Sequence, residues 1–439
     1  MHPLAQELNE TLKRGNSIFL DSLAAFGREI FYPKGILTQS AEAKIKAHRF
    51  NATIGTAREK GEVMHLHSVM DRFSGLTPDE ALNYAPSYGM PALRKAWAEE
   101  MLKKNPGLVG RKMSLPVVTA GLTHGLSVAA DLFVEPGDVI VMPDKLWGNY
   151  RLIFELRKGA KIKTFPLYNS DGGFNIKGYE EALKKEAASG RVITLLNFPN
   201  NPTGYTPTAA EMKRIAEILI NMAESGTRVV ALSDDAYFGL FYEEDTSAES
   251  LFALIADRHP NLIAVKLDGA TKEDFVWGFR VGFITISTRV AEGLENSFYE
   301  AVEKKLGGTV RSNISNASAP SQAVLLHAMQ DERYEKEKTD KRNILKRRAL
   351  KVKKVVNDKK YSDYFTPYPF NSGYFMCVRL REGLDAEKFR KRLLEEEGIG
   401  VISIDSTDIR IAFSSVEEEN IEELFNAMLK CALNMNHNS

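Results

Sequence analysis

The segment VITLLNFPNNPTG (residues 192–204) is a short apolar, β-branched run that ends in a turn built from two prolines and a glycine. Such a run predicts a buried strand, and the prolines hold the turn so that Asn201 presents its amide rigidly. The same pattern of strand and turn recurs on both sides. We predict strands at Leu115–Thr119, Val139–Met142, Lys161–Phe165, Val192–Asn197, Arg228–Ser233, Leu262–Leu267 and Gly282–Ile286.

Helical stretches separate these strands, at Gly125–Phe133, Tyr150–Arg157, Ile176–Ala188 and Ala209–Ser225. Regular alternation of strands and helices predicts an α/β fold whose large domain has a mostly parallel sheet covered by helices. We place this large domain at residues 61–325.

The pattern changes after residue 290. A long charged helix is predicted at Glu332–Lys360, and strands at Asn371–Leu380 and Val401–Phe413 flank a helix at Asp385–Glu397. With a last helix at Val416–Leu433, this predicts a smaller α+β domain over residues 326–439. Residues 1–60 are predicted to form an N-terminal arm that contributes to the small domain.

Composition excludes several classes of function. The chain has 439 residues, with 58 Lys and Arg against 58 Asp and Glu, so it lacks the charge signature of a nucleic-acid-binding or membrane-surface protein. Two cysteines cannot form a disulfide framework or a thiolate metal cluster, and His65 and His67 have no third ligand at metal-site spacing, so we expect no metal. No secretion signal and no membrane-spanning run are visible, and we expect a cytoplasmic enzyme.

In open α/β sheets, ligands bind at the carboxyl ends of the strands, so the turns there carry the chemistry. AGLTHG (120–125) opens a helix whose free N–H groups suit a phosphate. Asp234 in a closed cleft needs a positive partner, and Lys272 in a dry site beside Arg280 would become a usable amine nucleophile. Taken singly, each has an ordinary alternative: a tight turn, a helix-capping aspartate or a solvated lysine.

Taken together, these turns resemble those of the fold-type I enzymes that use pyridoxal 5'-phosphate (PLP), specifically the class I aminotransferases, which include aspartate and aromatic amino-acid transaminases. The resemblance runs from about Gly55 to Phe413. It rests on AGLTHG (120–125), WGN (147–149), NNPTG (200–204), DDAY (234–237), and DGATK with GFRVG (268–272 and 278–282). It implies the type I PLP-dependent transferase fold.

The resemblance also implies the cofactor contacts. Lys272 would form a Schiff base with PLP and later move the α-proton of the substrate, while Asp234 would pair with the pyridine nitrogen. Tyr237 and Asn201 would hydrogen-bond the ring hydroxyl oxygen, and Trp147 would stack on the ring. The phosphate would be held by Gly121, the backbone at Leu122, the hydroxyl of Thr123, and Arg280.

Further motifs resemble substrate-binding and subunit-sharing residues. Arg410, in RIAF (410–413), resembles the arginine that binds the substrate α-carboxylate, and Gly55 resembles a glycine of the same pocket, to which Asn201 and Trp147 also belong. Tyr84, in YAPSYG (84–89), resembles the tyrosine that reaches the phosphate in the neighbouring subunit, which implies a homodimer with shared sites. Arg311, in VRSNISN (310–316), either binds a distal carboxylate from the partner subunit or is a surface arginine; the sequence leaves both open.

Two positions depart from the family pattern. Gly269 stands where a serine usually donates to the phosphate, so that Thr271 or a backbone N–H would have to compensate. Tyr150 stands where aspartate transaminases have a histidine behind the pyridine-binding carboxylate. Both suggest a divergent branch.

We therefore expect an aminotransferase that moves an amino group between an L-amino acid (aspartate, glutamate or an aromatic one) and a 2-oxo acid such as 2-oxoglutarate. A PLP-dependent lyase or decarboxylase on the same fold is the alternative, because it would share every cofactor residue.

Overall fold

The computed structural model of the protein describes residues 1–32 and 35–436 and is built around a seven-stranded sheet. The strand Gly282–Ser287 is antiparallel to both of its neighbours, and all other strand pairs in the sheet are parallel. The predicted α/β class with a mostly parallel sheet is confirmed. From one edge to the other the strands are Val117–Thr119, Gly282–Ser287, Leu262–Asp268, Arg228–Asp234, Arg191–Asn197, Val139–Pro143 and Lys161–Phe165.

Both faces of this sheet are buried, because alternate residues of each strand join different hydrophobic clusters. Val192 and Leu196 pack on one face, whereas Ile193 and Leu195 pack on the other. The first face is covered by the helices Ile176–Ala187, Ala209–Glu224 and Leu251–Ile255. The second is covered by Leu122–Phe133, the π-helix Arg151–Arg157 and Glu295–Ile314.

Two of these elements begin two or more residues away from the predicted start. The first strand begins at Val117 rather than Leu115, because the Leu115 N–H donates to the Glu303 carboxylate instead of to a strand. The helix predicted from Gly125 begins at Leu122, directly after Gly121. The helical stretch predicted at Tyr150–Arg157 is a π-helix, Arg151–Arg157.

A second sheet of four antiparallel strands lies in the C-terminal part, in the order Phe365–Pro367, Met376–Leu380, Asp408–Ile411 and Ile402–Ser403. The N-terminal strand Phe50–Asn51 pairs with Ile399–Gly400, so the N-terminal segment packs on this part of the protein. The domain boundaries near residues 60 and 325 stay a prediction.

The C-terminal strands are shorter than predicted. The strand predicted from Asn371 begins at Met376, since the N–H groups of Asn371 and Ser372 donate to the Gly204 carbonyl. The strand predicted over Val401–Phe413 is divided by a turn in which Asp405 accepts from two backbone N–H groups.

The remaining helices connect and cover these two sheets. The long charged helix is Tyr334–Val356, and the last helix begins at Ile421 rather than Val416. Among the described residues, no helix has both the length and the apolar character needed to cross a bilayer. The other helices are Pro3–Gly15, Ser17–Ser22, Ala25–Glu29, Ile36–Lys46, His67–Met70, Pro78–Leu82, Pro91–Lys104, Ala270–Glu273, Ala319–Met329, Lys359–Ser362 and Ala386–Glu397.

Arg348, on the long charged helix, ties the N-terminal segment to the C-terminal part. Its side chain is only 1% exposed, and its guanidinium donates to the carbonyls of Arg58 and Ser414, both at 2.7 Å, and to Glu417. Removing a buried charged donor leaves its acceptors desolvated and unpaired, which costs about 3 kcal/mol or more.

We therefore expect Arg348→Ala to lower the free energy of unfolding in urea by about 3 kcal/mol, as followed by tryptophan fluorescence. The matched control is Arg347→Ala, whose side chain is 57% exposed in its pair with Glu418 and should contribute less than about 1 kcal/mol. Equal losses in the two variants would contradict a structural role for the buried guanidinium.

Candidate active site

The carboxyl ends of the parallel strands meet at one cavity of about 220 Å³. Most of the residues that the sequence assigns to the cofactor line this cavity. Its walls are formed by Leu122, Thr123, Trp147, Tyr150, Asn197, Asn201, Asp234, Ala236, Tyr237, Thr271, Lys272 and Arg280.

Lys272 lies on the short helix that directly follows the strand Leu262–Asp268. Burial lowers its pKa to about 8, helped by the positive charges of Arg280 and Arg410 and opposed by Asp234. An amine with this pKa is partly neutral near pH 7, which is the form that attacks a carbonyl or accepts a proton. The environment therefore gives Lys272 the partly neutral state that a nucleophile or a base needs.

Asp234 is the last residue of the central strand Arg228–Asp234. Its Oδ2 accepts a 2.6 Å hydrogen bond from the Tyr150 hydroxyl, and its Oδ1 accepts one of 3.1 Å from the Ala236 N–H. Burial raises the pKa of Asp234 to about 6, while these two hydrogen bonds act in the opposite direction. The carboxylate is thus mostly ionised at neutral pH and suits a cationic ring nitrogen.

Groups that suit an anion gather where the helix Leu122–Phe133 begins. Gly121 has φ +79°, and a Cβ at this position would lie 2.6 Å from Nη2 of Arg280, so only glycine lets the guanidinium lie against the helix start. Backbone N–H groups at a helix N-terminus, the Thr123 hydroxyl and a guanidinium together suit a phosphate.

Gly269 departs from the family pattern for a steric reason. A Cβ at this position would lie 2.8 Å from both the Val281 carbonyl oxygen and the Gly282 Cα, so a serine does not fit. Thr271 lines the cavity, and its buried Oγ1 has no hydrogen-bond partner among the described residues. An unpartnered buried hydroxyl is costly, and a phosphate oxygen would satisfy it.

Arg410, on the second sheet, lies next to the wall of this cavity, where it contacts Asn201. Its side chain is buried, with Nη1 donating to Asn201 Oδ1 at 3.0 Å and Nη2 donating to the Thr53 carbonyl at 2.8 Å. The guanidinium lies 4.2 Å from the centre of the Phe375 ring. A Cβ at Gly55 would lie 3.1 Å from the Phe375 ring, so Gly55 lies beside the ring on which Arg410 packs, and its place in the substrate pocket stays a prediction.

Five of the predicted site residues are not in the wall of the cavity: Gly121, Gly55 and Arg410 lie beside residues that are, whereas Tyr84 and Arg311 do not. Tyr84 is 92% exposed, and Arg311 is exposed near the end of the helix Glu295–Ile314. The segments that carry them are neighbours, because the Ser87 hydroxyl donates to the Ser315 carbonyl at 2.8 Å. Their roles stay predictions.

Asn197 and Phe375 belong to this site but were missed in the sequence. Asn197 donates to the Asp234 carbonyl at 2.9 Å and accepts from the Asn201 N–H at 2.8 Å, which joins two predicted residues. A polar residue ending a buried strand was the available signal for Asn197. Phe375 gave none, since its contact with Arg410 is formed only by folding.

The residues present fit PLP: a carboxylate for the ring nitrogen, an activated amine for the aldehyde, and an anion site with an unsatisfied hydroxyl for the phosphate. No cluster of metal-ligating side chains occurs in residues 1–32 or 35–436. The sequence profile of the family described as aminotransferase class I and II matches residues 55–428.

The chain belongs to this family.

It is a PLP-dependent aminotransferase, and nothing in the similarities favours the lyase or decarboxylase alternative. The aminotransferase is 26% identical over 352 residues to the aspartate aminotransferase of Pyrococcus horikoshii, a match that covers 78% of this chain and 81% of the relative.

Solved structures agree with this assignment. An aminotransferase from Anaerococcus prevotii has a TM-score of 0.81 and 25% identity, and the match covers 94% of this chain and 99% of that one. The kynurenine aminotransferase of Pyrococcus horikoshii, solved with the aminated cofactor PMP, has a TM-score of 0.77 at 18% identity, covers 96% of this chain and 99% of its own, and shows the same fold.

The lowered pKa of Lys272 predicts a stability change in the cofactor-free aminotransferase. Below about pH 8 the folded state holds a charged buried amine, and the shift from 10.5 corresponds to a penalty on the order of 3 kcal/mol. Lys272→Met should therefore raise the free energy of unfolding at pH 7. The gain should shrink as the pH rises from about 8 to 10.5, where the amine becomes neutral in both states.

Urea unfolding of the cofactor-free proteins at pH 7, 9 and 10.5 measures this effect. Lys177→Met, an exposed lysine on the helix Ile176–Ala187, is the control and should change stability little at any of these pH values. A gain at Lys272 that grew with pH would contradict the assigned shift.

Proposed function

We propose that this aminotransferase moves the amino group of a dicarboxylic L-amino acid, aspartate or glutamate, to a 2-oxo acid such as 2-oxoglutarate, and that it also accepts aromatic donors. The observation that carries the proposal is that Lys272 and Asp234 line one cavity, while Arg410 is hydrogen-bonded to Asn201 in the wall of that cavity and lies near enough to lower the pKa of Lys272. Two relatives, 26% and 27% identical, are named as an aspartate and a probable aspartate/prephenate aminotransferase, which supports this substrate class.

When bound, PLP supplies an aldehyde for the amine and a ring that takes up the electron pair released at the substrate α-carbon. Lys272, partly neutral at pH 7, is the base that takes the α-proton. The Asp234 carboxylate holds the proton of the ring nitrogen by its charge. Tyr237 and Asn201 hydrogen-bond the ring hydroxyl oxygen, and Trp147 stacks on the ring.

The charged ends of the substrate and cofactor are bound by arginines. Arg410 binds the α-carboxylate, and its contacts with Thr53 and Asn201 fix the direction of the guanidinium. Gly55 leaves room beside it. Arg280, Thr123, Gly121 and the Leu122 backbone bind the phosphate, with Thr271 in place of the missing serine.

In this proposal the enzyme is a cytoplasmic homodimer, and its two subunits share their active sites. Tyr84 extends to the phosphate in the neighbouring subunit, and Arg311 extends to the distal carboxylate of the substrate there. Their exposure and the contact between Ser87 and Ser315 support this arrangement, because the two exposed residues lie on segments that touch each other. Two buried free cysteines are in keeping with a reducing compartment.

Borohydride reduction tests the central role of Lys272. We expect reduction of the PLP-loaded enzyme to fix the cofactor to Lys272, as identified by peptide mass. Lys272→Ala should bind PLP only reversibly and lose 2-oxo acid formation, whereas Lys177→Ala should keep both properties.

The same preparation distinguishes transamination from its rivals. Turnover of the donor beyond one equivalent should require an added 2-oxo acid acceptor. Continued turnover without an acceptor would indicate a lyase or decarboxylase.

Arg311→Leu tests the substrate class. Loss of a charge-assisted contact to the distal carboxylate should lower kcat/KM for aspartate by about 100-fold, but that for phenylalanine by only a few-fold. Arg214→Leu, an exposed arginine on the helix Ala209–Glu224, is the control and should leave both substrates unaffected.

Mixing Lys272→Ala and Arg311→Leu subunits tests the sharing of sites. If Arg311 serves the neighbouring site, each hybrid dimer has one complete site, and random mixing should restore roughly a quarter of wild-type activity towards aspartate. No recovery after verified subunit exchange would place Arg311 outside the neighbouring site.

A further inference from the structure

Tyr150 is a buried tyrosine that touches two of the residues assigned to the cofactor ring. Its hydroxyl lies 2.6 Å from Oδ2 of Asp234. Its ring meets that of Trp147 edge to face, with a centroid distance of 5.5 Å and an interplanar angle of 88°. The side chain is only 1% exposed and lines the same cavity.

The local backbone explains how one residue reaches both partners. The Tyr150 N–H donates to the Trp147 carbonyl at 3.0 Å, which closes a turn through Gly148 and Asn149. Tyr150 directly precedes the π-helix Arg151–Arg157, and π-helical segments occur frequently at functional sites. The far side of the Tyr150 ring packs against Phe154 of that helix, at a centroid distance of 6.4 Å.

We propose that Tyr150 is a positioning residue that orients the Asp234 carboxylate and the Trp147 ring together, so that both face the cofactor ring. It acts through these two side chains. This inference rests on the cofactor site described above and deepens it, since Tyr150 stands where related enzymes have a different residue.

The Tyr150 hydroxyl matters because the surroundings of Asp234 disfavour the ionised form of its carboxylate. The titratable groups that face it are Tyr150, Tyr237, Asp235 and Lys272, and of these the hydroxyl of Tyr150 donates a hydrogen bond to its carboxylate. Burial and Asp235 raise the pKa of Asp234, while the bond from Tyr150 lowers it. Tyr150 therefore helps to keep the carboxylate ionised near neutral pH.

A tyrosine at this position remains a donor over a wide pH range. Burial and the adjacent Asp234 charge raise the pKa of Tyr150 well above its usual value, so the hydroxyl keeps its proton. An imidazole in the same place would change its charge near pH 6.5. Because the tyrosine does not titrate near neutral pH, the hydrogen bond that orients Asp234 does not change with pH in that range.

The test is the affinity for PLP as a function of pH. In the wild type, affinity should fall as the pH falls through the pKa of Asp234, because a protonated carboxyl cannot pair with the ring cation. Tyr150→Phe should weaken binding at pH 7 by about 10- to 100-fold, the loss of one hydrogen bond to a charged group. The midpoint of the pH dependence should also move up by about one unit.

Measurement in the Lys272→Ala background removes the covalent contribution, so that quenching of tryptophan fluorescence on addition of PLP reports binding alone. Tyr150→His retains a donor and should recover most of the affinity near pH 7; it also supplies the test if Tyr150→Phe does not fold. Tyr179→Phe is the matched control, because Tyr179 is equally buried but its hydroxyl bonds Thr194 away from the cavity. It should lower stability without moving the pH profile.

Wild-type affinity and an unshifted pH profile in Tyr150→Phe would overturn the positioning role and leave the cofactor site intact. An affinity of Tyr150→His for PLP as low as that of Tyr150→Phe would also contradict the positioning role. If the parent protein did not bind PLP, the cofactor assignment itself would fall, and the inference with it.

Discussion

Burial of charge at the carboxyl ends of the central strands is the constraint on which the rest of the site depends. Lys272 must be at least partly neutral, whereas Asp234 must be ionised, and both lie in the same buried cavity. Burial disfavours charge on either group, so it helps the lysine and hinders the aspartate. Arg280 and Arg410 further lower the pKa of Lys272, while hydrogen bonds from Tyr150 and Ala236 offset the effect of burial on Asp234.

A second cluster of buried charges, next to Asp234, limits the cost of keeping that carboxylate ionised. Asp235 is buried next to Asp234 and would add negative charge against it if left unpaired. It is paired with Lys266, which also lies 3.5 Å from Asp268, and Ser250 donates to Asp235 at 2.6 Å. The positive charge of Lys266 therefore offsets the negative charge that Asp235 presents to Asp234.

Much of this site could be predicted from the sequence because it is local. The turns after the strands carry Lys272, Asp234 and Asn201, and strand periodicity is enough to bring their ends to one edge. What the sequence could not supply depends on close approach between distant segments. The steric exclusion of a side chain at Gly269 requires the neighbouring strand that begins at Gly282, and the stacking of Phe375 on Arg410 requires the second sheet.

With Arg410 binding the substrate α-carboxylate as proposed, the second sheet also bears on what happens at the substrate α-carbon. Arg410 is held by Thr53, Asn201 and Phe375, so the direction of its guanidinium is fixed. The strand that carries it is anchored to the turn of Trp147 by the buried ion pair of Lys145 and Asp408, at 2.6 Å. A carboxylate bound by a fixed cation is stabilised as a charged group, and loss of carbon dioxide would sacrifice that stabilisation. The α-proton has no such restraint and faces a cavity whose amine, Lys272, is a base near neutral pH. Proton transfer is therefore the path that these fixed charges leave open, in agreement with transamination.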